Sequence, residues 1–223
     1  MKVTDQIYLY FWQDPKQNNC NTVVIDGKTP LLIDPGHLQH MDGLFRRMRA
    51  DGFDPARIKL VICTHSHPDH MEALSALNKK DGVMSAMSEL EEKFLEDAGR
   101  PLFAQHGMEV AEFKMDFSLV DGTLTIGRHE FEVLVLPGHS PGSLGLYWPR
   151  YKLLVAGDVV FAQGVGRTDL PGGDERQLRK SLMRLSKLQT EILVPGHGPA
   201  IQGAQQVRAN FQYIAKSYFG GAF

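Results

Sequence analysis

At 223 residues and 43% hydrophobic side chains, the chain can bury a sizeable core, either as one large domain or as two fused halves. Its net charge of −2 gives no cationic field for nucleic acid or an anionic membrane, which leaves a small-molecule substrate as the expected partner and the oligomeric state open. Two cysteines build no disulfide framework, the opening stretch MKVTDQIYLYFWQDP turns polar too soon for a signal peptide, and no later apolar run could span a bilayer; a cytoplasmic protein is expected.

In chain order, Ile7 to Trp12, Cys20 to Asp26 and Pro30 to Ile33 are predicted strands, separated by the turn residues Asp14-Pro15 and Asp26-Gly27 and closed by Asp34-Pro35-Gly36. Asp42 to Ala50 is a predicted short helix, Lys59 to Cys63 a buried strand, and Met71 to Leu77 an apolar stretch at helical spacing. Ser85 to Ala98 reads as a helix with a solvated acidic face, ended by Gly99 and Pro101. Leu102 to Asp116 alternates only loosely through Val110, Phe113 and Met115 and reads as core packing, in a strand or a covering loop.

The second half also opens with strands. Thr123 to Ile126 pairs with Glu130 to Leu136 around Gly127-Arg128, and Leu144 to Trp148 pairs with Tyr151 to Ala156 around Pro149-Arg150. An amphipathic helix over Asp174 to Leu188, a buried strand over Ile192 to Val194 and a last helix over Gln205 to Tyr218 complete the chain. Pro-Gly-His occurs three times, at Pro35-Gly36-His37, Pro137-Gly138-His139 and Pro195-Gly196-His197, each straight after an apolar strand, so strand ends present histidines.

The densest chemistry lies in Val61 to Met71, VICTHSHPDHM, on the turn between a strand and a helix. Alternate residues of an extended stretch point the same way, so His65 and His67 can converge on one ion while Asp69 and His70 turn toward another. Imidazole and carboxylate without thiolate suit zinc, iron, manganese or cobalt and do not suit a structural four-thiolate zinc site. Cys63 reads as a small buried apolar residue.

Taken together, His65-x-His67-x-Asp69-His70, then His139, Asp158 and His197 resemble the metallo-β-lactamase fold superfamily in its glyoxalase II-like branch, over about residues 5 to 200. The resemblance implies an α/β (α+β) chain folded as a four-layer αβ/βα sandwich, a single domain over 1–223 with two pseudo-symmetric halves of about 1–118 and 119–223. It assigns His65, His67 and His139 to one metal, Asp69, His70 and His197 to a second, and Asp158 to a bridge between two divalent ions, zinc first, with iron or manganese fitting too. Two cations about 3.5–4 Å apart can share a water and lower its pKa, so the implied nucleophile is a bridging hydroxide, with Asp69 able to shuttle the proton. Asp34 would anchor this region from behind the ligands.

The stretch Gly164 to Asp174, GVGRTDLPGGD, is similar to one in short glyoxalase II-like hydrolases and in persulfide dioxygenases, with Arg167 and Asp169 read as a loop-ordering ion pair. Many relatives follow the metal motif with glycines, whereas here Met71-Glu72 follows, and Glu72 reads as a first-turn carboxylate favoured by the helix dipole. His37 is a pocket-lining or incidental residue, and His40, His106 and His129 are read as surface residues. Only 26 residues follow His197, so the helical substrate domain of full-length glutathione thioester hydrolases is not expected. The leading function is a metal-dependent hydrolase of a small thioester of the acylglutathione class. The alternatives are a mononuclear iron persulfide dioxygenase, a lactonase or β-lactamase, and a non-catalytic metal-binding protein.

Overall fold

Residues 2–14, 16–77, 82–105, 107 and 115–221 are described by the computed structural model of the chain. Period-two patterning sets its layers. In β1 (Ile7–Tyr10) Ile7 and Leu9 face one core while Tyr8 and Tyr10 face another, so both sides of the strand are buried. β2 (Thr22–Ile25) and β3 (Leu31–Ile33) continue the antiparallel meander, and β4 (Leu60–Ile62), β5 (Met84–Ser88) and β6 (Phe117–Leu119) extend the sheet in parallel, in the order β1-β2-β3-β4-β5-β6.

A second six-stranded sheet repeats the plan. β7 (Gly122–Ile126), β8 (His129–Val135), β9 (Leu144–Trp148) and β10 (Leu153–Gly157) form a meander. A small hairpin, β11 (Val160–Phe161) with β12 (Gly164–Val165), leads through α2 (Glu175–Leu185) to β13 (Ile192–Pro195), which pairs parallel to β10 and antiparallel to β14 (Ile201–Gln202). The inner faces meet in a central core that includes Leu9, Val23, Ile62, Phe131, Leu146 and Trp148. The helix α1 (Met41–Ala50) covers the outside of the first sheet through Phe45 and Met48. On the outside of the second sheet, α2 and the last helix, α3 (Ala204–Phe219), pack through Leu178, Leu182, Phe211 and Ile214. The expected four-layer αβ/βα sandwich is the fold observed. Among the described residues no helix is long and apolar enough to cross a membrane.

One expectation fails in the first half. The helix expected over Ser85 to Ala98 begins only at Glu89, because Met84–Ser88 is a strand that pairs in parallel with both β4 and β6. Met and Ala favour helix in isolation, but the sheet position overrides that preference. The helix then runs past Gly99 and Pro101, as Glu89–Phe94, a wide turn over Leu95–Gly99, and Arg100–Gln105. Pro101 falls where the wide turn has already interrupted the bonding ladder, so the ring costs no further hydrogen bond. Leu102 therefore belongs to this helix, whereas Val110, Phe113 and His106 lie outside the described residues.

Candidate metal centre

The carboxyl ends of β3, β4, β8, β10 and β13 open on one edge of the sandwich, and every candidate ligand follows one of them. After β4 the chain bends at Thr64 and His65, His67 is extended, and Pro68 starts a one-turn helix, Pro68–Met71, so Asp69 and His70 sit within that turn. Second-sheet loops bring His139, Asp158 and His197. All seven side chains come together, and all except His197 are buried.

His65 Nε2 and His67 Nδ1 are 3.0 Å apart, and His139 Nε2 stands 3.2 and 3.0 Å from them. Ligands on a tetrahedral ion with bonds of about 2.0–2.1 Å would be about 3.3 Å apart, so these three nitrogens form one face of such a site. Beside them, His70 Nε2 and His197 Nε2 are 3.3 Å apart, and Asp69 Oδ2 is 3.1 Å from His197. Asp158 lies between the groups, its Oδ2 3.7 Å from His139 Nε2 and 3.4 Å from His197 Nε2, its Oδ1 3.3 Å from His70 Nε2. Gly196 makes room for it, since a Cβ there would come within 2.1 Å of Asp158 Oδ1. Nitrogens and carboxylate oxygens that face one another at these distances fit divalent cations.

Residues behind the ligands fix which nitrogen faces inward. Asp34 is buried in a left-handed conformation (φ 56°), which Asp tolerates better than most residues, and accepts from the Thr64 amide and hydroxyl at 2.7 Å each and from His70 Nδ1 at 2.9 Å. Thr64 Oγ1 in turn lies 3.1 Å from His65 Nδ1, and the Arg167 carbonyl accepts from His139 Nδ1 at 2.8 Å. Holding the proton on Nδ1 leaves Nε2 of all three rings free to bind a metal. Asp34 therefore has the anchoring role expected of it, reaching both halves of the cluster.

Electrostatics divides the histidines. Burial, reinforced by neighbouring imidazoles, holds His65 well below the usual range and takes His67 down to about 3, so both stay neutral. Burial also acts on His70 and His197, but carboxylates outweigh it: Asp158, Asp34 and Asp69 hold His70 well above its usual value, and Asp158 and Asp69 lift His197 to about 9. Burial likewise opposes the charges of Asp69 and Asp158, yet His70 and His197 keep both carboxyls well below the usual range.

A cavity of about 740 Å³ opens over the cluster, lined by His67, Asp69, His139, Asp158 and His197 together with Asn18, Phe161, Val165, Arg167 and Leu170. Arg167 and Asp169 form the expected ion pair at its rim, Nε–Oδ1 and Nη2–Oδ2 both 2.7 Å. His37 and Glu72 pair with each other and do not line the cavity. His40 stacks on Trp12, and His129, expected at the surface, is 6% exposed and packs on Trp148. Two contributors escaped the sequence reading. Asn18 donates to Asp69 Oδ2 at 2.8 Å from a polar turn that carries no signal, and Phe161 stands 6.2 Å from the His197 ring.

Two facing sheets with a histidine–carboxylate cluster at their strand ends define a metal-binding enzyme of the β-sandwich type. The pattern of the metallo-beta-lactamase superfamily matches residues 15–197, and the chain belongs to that family. It is 32% identical over 199 residues to hydroxyacylglutathione hydrolase GloC of Haemophilus influenzae, covering 87% of this chain and 92% of that one. Among solved structures, the BLEG-1 B3 metallo-beta-lactamase superposes with a TM-score of 0.73 at 30% identity, over 90% of this chain and 95% of that one. TTHA1623 in a di-iron-bound form gives 0.69 at 32%, over 85% and 92%. The chain is thus a metallo-hydrolase of a superfamily that binds divalent metals.

Proposed function

We propose that the chain is a dinuclear metal hydrolase acting on a small thioester of the acylglutathione class. The position of Asp158 carries this reading: one carboxylate reaches both His139 and His197, the outermost members of two separate ligand groups. His65, His67 and His139 would hold one ion, Asp69, His70 and His197 the other, with Asp158 between them; the donor set suits zinc first and iron or manganese next. Ions held there supply Lewis acidity toward a carbonyl oxygen and lower the pKa of a water they share.

The chain's own groups do the rest. Among the described residues no serine, threonine or cysteine lines the cavity, and burial holds the Cys20 and Cys63 thiols well above their usual range, which favours water as the nucleophile. Asp69, steadied by Asn18, is the carboxylate placed to take the proton from that water and pass it to the leaving thiolate. Phe161, Val165 and Leu170 form the apolar wall against which the acyl group packs and from which bulk water is excluded. The similarity to GloC supports the thioester substrate. The same reading takes 1–223 as one domain of two halves, 1–118 and 119–223, working in the cytoplasm, where two free buried cysteines stay reduced.

The test is thiol release from an acylglutathione series by metal-loaded protein. Expected is steady turnover that falls at least about 100-fold in Asp158→Ala and Asp69→Asn, the loss typical of removing a group that handles the transition state. Oxygen uptake with sulfite formation from a persulfide, and no thioester cleavage, would contradict the proposal.

A further inference from the structure

Glu91 carries no role in the chemistry above, yet it is wholly buried. A carboxylate in such a place costs several kcal/mol unless every lone pair is used, and here they are used in a particular order. Oε1 accepts from the Ser66 amide at 3.0 Å and the Ser66 hydroxyl at 2.5 Å. Oε2 accepts from the Gly142 amide at 2.7 Å and the Ser140 hydroxyl at 2.8 Å. Ser66 stands between His65 and His67, and Ser140 follows His139. One oxygen thus serves the turn from the first sheet and the other serves the loop from the second.

The helix start that bears Glu91 is itself docked on that second loop. Ser88 Oγ accepts from the Glu91 amide at 3.0 Å and donates to the Gly142 carbonyl at 2.5 Å. A Cβ on Gly142 would fall 2.2 Å from both Glu91 N and Ser88 Oγ, so only glycine lets the loop approach this closely. We infer that Glu91 is a positioning residue of the first metal position: its carboxylate is a rigid spacer, bonded to Ser66 on one side and to Ser140 and Gly142 on the other, that sets the separation of His65 and His67 from His139. The inference rests on the proposal that these three histidines bind a metal.

The pattern of partners makes glutamine a poor substitute. Each carboxylate oxygen faces one backbone N–H, which can only donate. An amide offers an oxygen to one and an NH2 group to the other, so Glu91→Gln keeps the volume but breaks one arm.

The experiment is stepwise metal titration of apo-protein against a chromophoric chelator, with wild type first, then Glu91→Gln and Ser140→Ala, and with thermal melts of each. Wild type should bind two equivalents. Glu91→Gln should weaken the first-position step about 10- to 100-fold, as loss of a partner behind a ligand does, with the Asp69–His70–His197 step little changed. Ser140→Ala, which keeps the charge and three of its bonds, should move the same step by a smaller factor and decides the matter if Glu91→Gln does not fold. Wild-type affinities in the folded variants, with only the melting temperature lowered, would overturn the role of Glu91 and leave the metal site standing. A wild type that binds no metal would overturn both.

Discussion

His197 and His67 occupy one cluster under opposite fields. His67 is neutral through the physiological range, whereas His197, facing Asp158 and Asp69, holds a proton up to about pH 9 in the metal-free chain. Metal binding needs the neutral imidazole, so an ion entering the second position must expel that proton. Its apparent affinity should therefore fall as pH drops below about 9, approaching tenfold per unit for each proton displaced, while the first position, with His65 and His67 already neutral, loses less. Titrations at pH 6, 7 and 8 measure the two slopes, and equal slopes would contradict the assignment. At this scale the seven candidate ligands were legible because strand-end spacing is local. Asn18 and Glu91 were not, because their roles depend on what the fold brings opposite them. Ser88-x-x-Glu91 has the spacing of a helix start, which the expected helix from Ser85 passed over, and the acid that normally returns to cap the helix is turned inward onto the histidine loops instead.

Among the elements, the small hairpin β11–β12 forms part of the cavity wall, since it carries Phe161 and Val165. Strands of two residues cannot hold a hairpin alone, and α3 supplies the support: Asn210, 6% exposed, accepts from the Gln163 amide at 2.7 Å and donates to the Phe161 carbonyl at 2.9 Å. Asn210→Ala should destabilise the chain by about 1–3 kcal/mol by orphaning both groups, and should raise KM more than it lowers kcat because Phe161 shifts while the ligands stay. Denaturant unfolding and steady-state kinetics measure both; an unchanged KM would detach the hairpin from substrate binding. The last helix was legible from its apolar period, its clamp on the hairpin was not. The strand Met84–Ser88 misled for a related reason: its residues favour helix, and only the flanking strands β4 and β6 make it a strand.

Across the whole molecule, the candidate metal centre draws on both sheets. The His65–His70 turn comes from the first, and His139, Asp158 and His197 come from the second, so bound ions would tie the layers together in the folded state alone. Ligand at about a thousand times its Kd adds about 4 kcal/mol, which for a chain of this length corresponds to about 8–16 °C. Stripping metal with a chelator should lower the melting temperature by about that amount and restoring it should reverse the loss, whereas no change would mean that the two sheets hold the site without help from metal. The layered architecture was expected from the resemblance that the seven-residue pattern carries; the burial of Ile7-Tyr8-Leu9-Tyr10 on both faces gives its physical reason, because two-sided burial forces a layer on each side.

The most direct measurement is metal per chain, by elemental analysis of protein purified without added metal, alongside its thioester turnover. Two divalent ions per chain, with turnover that rises and falls with their content, is the predicted result. A single iron per chain in active protein, with oxygen consumption in place of thioester hydrolysis, would contradict the dinuclear hydrolase.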